Sequence, residues 1–414
     1  MSFDLNHRFS RRTLLEATAA LPLLANERPK RIAMITTVYR YLSHGQHMGD
    51  RFLVGYPHNG SWHMPGAKIV SLYVDQKPEG DLSEARAKEF GFRVYPTIAE
   101  TLRCGGTKLA VDAVLIIAEH GDYPTNEIGQ KLYPRYEFFQ QCVKVFEQDG
   151  RAVPVYNDKH LSYSFEKAQH MVSESKRLVF PMLAGSSLPV TWRLPDVELP
   201  LECHIEEVVM AGENGDDDAM DFHALEGMQC MLERRKGGET GVRAVQWVEG
   251  DAVWRGGWSR DLLIAALSRS DTPLGLTVKD GRTQDLVGSG QLQQLVKKPI
   301  AYIIEYRDGL QATMLNLRGA LKDFNFAARV TGLGIVSTQF LLTPEANVTY
   351  SACLMNKAEE MFVTRRSPYP VERTLLTSGI TEACHKSHGV GRRLETPHLS
   401  VRYQPPEISQ YCRA

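Results

Sequence analysis

The 414-residue chain lacks the features that would tie it at once to one kind of partner. Lys and Arg number 48 against 49 Asp and Glu, a formal net charge of -1. That balance excludes the basic footprint of a nucleic-acid binder and the excess acid of a solvating tail. No run approaches the roughly 18 uninterrupted apolar residues of a membrane-spanning helix, so no stable membrane span is expected. The seven cysteines (Cys104, Cys142, Cys203, Cys230, Cys353, Cys384 and Cys412) are scattered, and no CxxC pair occurs. Buried free thiols are therefore expected, not a disulfide framework or a thiolate zinc site. There is no internal repeat and no low-complexity tract, and Asp216-Asp217-Asp218 is the one charge run of note. With 43% hydrophobic and 23% charged residues the composition is globular. At about 100–200 residues per domain, this length suggests two domains.

Up to about residue 180 the pattern alternates strands and helices. Arg31 to Tyr39 (RIAMITTVY) reads as a first buried strand and Lys68 to Val74 as a second, ending at Asp75. Ser83 to Phe90 reads as a helix capped by Ser83 and stopped by Gly91, and Thr97 to Arg103 as another. Val111 to Ala118 is the most continuous apolar run and reads as a central strand. A helix from about Pro134 to Gln148 and a strand from Ala152 to Tyr156 follow. Strands joined by helices of this length form βαβ units, hence a parallel sheet covered on both faces. From 181 onward the pattern changes to alternating stretches: Glu202 to Met210, Gly241 to Val248, Ile300 to Tyr306, Gln311 to Leu317 and Phe324 to Val330. Asp308-Gly309 marks a hairpin turn. The expected fold is a doubly wound α/β domain over 30–180, followed by an α+β domain over 181–414 with a mainly antiparallel open sheet.

Residues 1–29 read as an address segment. Arg11-Arg12 precede a modest apolar run, with Ala17 and Ala19 available as a small-x-small cleavage site, as in twin-arginine export signals. A periplasmic or exported protein is expected on that basis. Glu16 interrupts the run, and an amphipathic helix on a cytoplasmic protein is the alternative.

Asp75, the Ala85…Phe90-Gly91…Tyr95…Glu100-Thr101-Leu102 helix pair and Val111-Asp112-Ala113-Val114 together resemble the glucose–fructose oxidoreductase/inositol dehydrogenase (Gfo/Idh/MocA) family. The resemblance covers about residues 30–195 and extends more weakly beyond. It implies a Rossmann-like nucleotide-binding domain, NAD or NADP as cofactor, and hydride transfer to or from a hydroxyl or keto group of a sugar-like or cyclitol-like substrate. It also implies a homo-oligomer formed through the C-terminal sheet. In this register Thr37, Tyr39, Asp75, Glu119, His120 and Lys159 face the dinucleotide. Lys159, within Asn157-Asp158-Lys159-His160, stands where the family carries Glu-Lys-Pro, and its ammonium would polarise the reacting oxygen. His223, with Asp218 as its carboxylate, stands where the family places its catalytic histidine, and would take or give the proton.

Several departures from the family pattern point elsewhere. A pyrophosphate needs a Gly-rich turn after the first strand, yet Thr36-Thr37-Val38-Tyr39-Arg40-Tyr41 contains no glycine. Gly45 and Gly49 lie downstream, within an apparent insertion from Gly45 to Gly66. His44, His47, His58, His63, His120 and His160 fall at or near strand ends, and neutral imidazoles with carboxylates suit zinc, manganese or iron. The alternative enzyme is thus a metal-dependent lyase or hydrolase, with His44, His47, His120 and Asp122 as ligands of a divalent metal. The non-enzyme alternative is a binding module that has lost its cofactor. Trp192 and Arg193, ahead of Pro195, offer an aromatic face and a guanidinium to a carbohydrate, although an aromatic at a domain junction is more often packing.

Overall fold

The computed structural model describes residues 28–212, 218–271, 278–279, 282–283, 286–344 and 346–413. The expected export signal, with Arg11, Arg12, Ala17 and Ala19, lies outside the described residues, as do Asp216 and Asp217.

The first sheet is six-stranded and parallel throughout. Its strands are β1 (Lys30–Thr36), β2 (Ala67–Val74), β3 (Arg93–Val94), β4 (Ala113–Ile117), β5 (Val155–Asp158) and β6 (Met182–Gly185), in spatial order β3-β2-β1-β4-β5-β6. The order reverses between β1 and β4, which opens a crevice beyond their carboxyl ends. All five residues of β4 are buried, as expected for a central strand covered on both faces. The helices are α1 (His44–Gly49), α2 (Ser83–Phe90), α3 (Ile98–Arg103), α4 (Arg135–Asp149) and α5 (Phe165–Arg177). Local chemistry sets their ends. Thr97 caps α3 by accepting from Glu100 N, Ser164 caps α5 by accepting from Lys167 N, and left-handed Gly91 and Gly150 close α2 and α4. The α2 cap differs from expectation: Asp81 accepts from both the backbone N–H (3.2 Å) and the hydroxyl of Ser83 (2.5 Å). Strand β1 stops at Thr36, short of Tyr39, because the Thr36 hydroxyl bonds Val38 O and Ile117 O and turns the chain. The parallel sheet runs past the expected break at residue 180, since β6 lies beyond it.

The second sheet has eight strands: β7 (Arg193–Leu194), β8 (Ile205–Gly212), β9 (Val242–Glu249), β10 (Ile300–Tyr306), β11 (Gln311–Asn316), β12 (Phe324–Val330), β13 (Gly334–Phe340) and β14 (Leu394–Glu395). Their spatial order is β14-β9-β10-β11-β8-β12-β13-β7, and every pairing is antiparallel except β8 with β11. The hairpin at Asp308-Gly309 joins β10 to β11, with Gly309 at φ 98°. Helices α6 (Ala219–Leu232) and α9 (Glu372–Val390) pack beneath this sheet, while α7 (Arg260–Leu267) lies against β8, β12 and β13. Leu262, Leu263 and Ala266 form a core there with Val209, Leu315 and Ala327. The sheet is thus packed by helices on both of its faces.

The chain then returns to the first domain. Helix α8 (Tyr350–Thr364) puts Cys353, Leu354, Met361 and Phe362 into the core that holds Ile32, Met34 and Tyr39. The 45–66 insertion contributes α1 and a small hairpin (Tyr56–His58 with Ser61–His63) held against α8, where Glu359 accepts from Tyr56, His63 and Gly66 N. His58 and His63 therefore sit apart from the crevice, on the far side of the insertion. No described helix is long and apolar enough to cross a membrane.

Candidate active site

A pocket of about 430 Å³ opens at the carboxyl edge of the parallel sheet, between the two lobes. His44, Glu119, His120, Asp158, Lys159, Ser186 and Ser187 line it from the carboxyl edge of the first sheet, and His223 from α6. The pocket lies where doubly wound sheets bind ligands.

Lys159 follows β5 with φ 63°, a left-handed backbone rare outside glycine, and its N–H is held by Gly185 O at 3.1 Å. That bend delivers the Lys159 Nζ to His223 Nε2, a contact joining the first lobe to α6. Burial, then the Lys159 charge, then His44 push the His223 pKa well below its usual value, so the imidazole is neutral. An ammonium donating to Nε2 leaves the proton on Nδ1, and this buried atom has no hydrogen-bond partner. The sequence expectation paired His223 with Asp218, and the structure corrects it. Asp218 is the residue before α6 and turns away from His223: Gln130 Nε2 (3.4 Å), Lys131 N (3.3 Å) and His160 Nε2 (3.8 Å) meet its carboxylate. Residues five apart on a helix lie on different faces, so the pairing fails on geometry. Although burial opposes it, His160, His385 and Arg135 hold the Asp218 pKa down to about 2.

Arg135, which sequence reasoning missed, organises the floor. It is wholly buried at the start of α4, ion-paired with Glu119, and donates to Asp158 O (3.2 Å) and His160 Nδ1 (3.4 Å). Although burial opposes it, Arg135, Lys159 and His44 together lower the Glu119 pKa. Glu119 is thus part of the floor's ion pair, and Thr37 is buried too, its hydroxyl bonded to Glu119 O at 2.7 Å. A helix-start arginine carries no sign of burial in the sequence. The later Asp158 and His160 at a strand end were the one available hint.

The third group is His44 at the start of α1. Its Nδ1 lies 2.7 Å from Asp158 Oδ2. Burial first, then Lys159 and His120, drive its pKa well down, so a neutral ring donates its Nδ1 proton to the carboxylate. Burial raises the Asp158 pKa, and its other oxygen, Oδ1, is buried without a partner. His47 and His120 stand edge-on to His44 at ring distances of 5.0 and 5.1 Å. The pKa values of both are lowered, chiefly by burial. Three of the four expected metal ligands thus converge. Asp122 does not join them, its backbone being clasped by Gln76. Among the described residues no set of three or more His, Cys, Asp or Glu is arranged to hold a metal ion.

The remaining expected residues divide. Asp75 is exposed at the end of β2, accepting from Tyr73 OH (2.8 Å) and Tyr123 OH (2.6 Å). Tyr39 is wholly buried and donates to Asp50 Oδ1 (2.5 Å), so its side chain turns into the core and away from any cofactor. Trp192 and Arg193 belong to the junction, with Arg193 buried and stacked 3.9 Å from the Tyr411 ring centre.

No family sequence model matches the chain, and no curated protein matches it by sequence. Solved structures do match its shape. GenD2 from gentamicin A biosynthesis, in complex with NAD, superposes with a TM-score of 0.55 at 14% identity, covering 89% of this chain and 96% of that one. A putative myo-inositol dehydrogenase from Sinorhizobium meliloti gives 0.53 at 14% identity over 88% and 99%. The myo-inositol dehydrogenase of Lactobacillus casei, in complex with NAD(H) and myo-inositol, gives 0.52 at 11% identity over 88% and 96%. The chain has the two-domain fold of the Gfo/Idh/MocA family. At such identities the likeness is one of fold, and activity has to be argued from the site.

Proposed function

We propose that the protein is a divergent oxidoreductase of this fold, moving a hydride between NAD or NADP and a hydroxyl or keto carbon of a sugar-like or cyclitol-like substrate. The contact between Lys159 and His223 inside the pocket carries the reading. The Lys159 ammonium stabilises negative charge on the substrate oxygen, and a water-poor pocket strengthens that effect. Once the substrate oxygen takes over the Lys159 ammonium, the freed Nε2 of neutral His223 exchanges the hydroxyl proton. Ser186 and Asp158 line the pocket, and each has a side-chain oxygen with no hydrogen-bond partner among the described residues.

The cofactor fits at its two ends and not in the middle. Asp75 offers an exposed carboxylate to ribose hydroxyls at the end of β2, and Lys159 stands at the reacting end. Five amides of the β1–α1 turn, however, are already committed within the protein. Arg40 N and Gln46 N bond Ser43 Oγ, Leu42 N bonds Gln46 Oε1, Ser43 N bonds Arg40 O, and His44 N bonds His120 Nδ1. Gly45 serves packing instead, since a Cβ there would strike Val38 O and Thr36 Oγ1. The exposed Arg40 guanidinium is the cation left to meet phosphate at this turn. When bound, the dinucleotide would accept or give the hydride. Export by the twin-arginine route and self-association belong to the same proposal and rest on residues 1–29 and on the fold resemblance.

The committed amides favour a second reading, a redox-neutral enzyme on the same scaffold. Titrating the purified protein with NAD+ and NADP+, with mass analysis of any nucleotide it retains, separates the two. Binding at micromolar to submillimolar concentration, weakened by Asp75→Ala, supports the oxidoreductase; no binding at millimolar nucleotide removes it.

A further inference from the structure

His44 and Asp158 take no part in the roles given to Lys159 and His223, yet they form the best-oriented imidazole of the pocket. The Asp158 carboxylate fixes the tautomer by accepting from Nδ1. Nε2 then carries the lone pair, and no partner among the described residues occupies it. His44 keeps 14% of its side-chain surface accessible, whereas Asp158 keeps none. This is a base with its orienting acid behind it and open space in front. His223 approaches the same cavity from α6, on the other lobe. A ligand held against Lys159 is therefore flanked by two neutral imidazoles delivered from opposite walls.

We propose that His44, positioned by Asp158, is a second proton-transfer residue that removes the hydrogen on the carbon next to a ketone carbonyl bound at Lys159, so that the pocket enolises polyol ketones without a redox cofactor. The inference rests on the reading that this pocket takes a keto or hydroxyl polyol. In the step, the C–H bond breaks and an N–H bond forms at His44 Nε2. The C–H electron pair becomes the new C=C bond, and the carbonyl π pair moves onto oxygen, where the Lys159 ammonium stabilises it. Return of a proton to carbon restores the ketone, either unchanged or inverted at that centre. Nothing is oxidised, and the proton left on His44 exchanges with water.

The test uses 2-keto-myo-inositol and fructose as probes in D2O with the full chain and no added nucleotide. Binding is followed by calorimetry, and deuterium gain by NMR and mass spectrometry. We expect deuterium next to the carbonyl of a bound probe, a rate at least 100-fold lower for His44→Gln, and partial recovery in His44→Ala on adding free imidazole. Asp158→Asn should slow exchange and shift its pH profile, because it disturbs the tautomer of His44. A probe that binds without exchanging overturns this inference and leaves the proposed oxidoreductase standing. Exchange that persists in His44→Gln overturns the role of His44. Should neither probe bind, the polyol reading and this one fall together.

Discussion

Two buried polar clusters among the described residues are finished differently. Beneath the second sheet, Glu233 accepts from Arg373 Nε (2.8 Å), Arg373 Nη2 (2.6 Å) and Tyr403 OH (2.9 Å). Glu239 is met by both terminal nitrogens of Arg235, by Gln229 and by the N–H groups of Thr240 and Gly241. Tyr306 completes the set by donating to Gln229 Oε1 at 2.8 Å. None of these carboxylates, guanidinium groups or amides leaves a buried polar atom without a partner. At the pocket, by contrast, Asp158 Oδ1, His223 Nδ1, His47 Nδ1 and Ser186 Oγ are all buried and have no partner among the described residues. A folded chain does not keep four such atoms waiting at one place without cost, roughly 1–3 kcal/mol for each group. The closed cluster is satisfied within the fold, whereas the open one leaves polar atoms unmatched beside a cavity, which is what the proposed binding site requires.

That contrast can be broken by experiment. The largest expected effect lies in the closed cluster: Arg373→Ala strands the buried Glu233 and should cost about 3–5 kcal/mol in urea unfolding. Ligand affinity of the protein that remains folded should be unchanged; a stability loss under 1 kcal/mol would remove the distinction. In the open cluster, Lys159→Ala should lower kcat by roughly 10²–10³-fold with no loss of melting temperature, because it removes a buried charge that serves the transition state. Equal damage to activity and stability would class Lys159 with Arg373. The smallest effect is a slope. His44, His47 and His223 have folded-state pKa values pushed well below 6.5, chiefly by burial, whereas the unfolded chain protonates them near 6.5. Below that pH the unfolded state binds more protons, so stability is full above about pH 6.5 and declines as pH falls. Each histidine contributes a slope of up to about 1.4 kcal/mol per pH unit, and His47→Gln should flatten the curve of melting temperature against pH.

Much of this was legible in the sequence where the signal is local. The apolar run at Val111–Ala118, the Asp308-Gly309 turn and the Gly91 stop translate directly into β4, the β10–β11 hairpin and the end of α2. Lys159 at a strand end and His223 in the second half were both found, and they meet. What escaped depends on tertiary placement. His44 and Asp158 are separated by 114 residues, and no spacing rule links a turn histidine to a strand-end aspartate. Arg135 reads as an ordinary helix-start cation, since burial of a charge is a property of the assembled floor. Tyr39 and Asp218 failed for the opposite reason: a family register set their roles, whereas local packing turned one into the core and the other toward His160.

The way Arg135 is held has a consequence for how the site can change. Its guanidinium is bound by Glu119, two residues beyond β4, by the end of β5 and by His160, with no solvent contact from which to rearrange. The base of the pocket therefore cannot be re-cut one residue at a time, because each single replacement there exposes an uncompensated ion. Adaptation to a bulkier or slimmer molecule has to come from the lip, at Leu42, Met220, Leu342 and Tyr350, where side chains can be exchanged without breaking an ion pair. Chemistry and selectivity are thereby assigned to different depths of the same cavity.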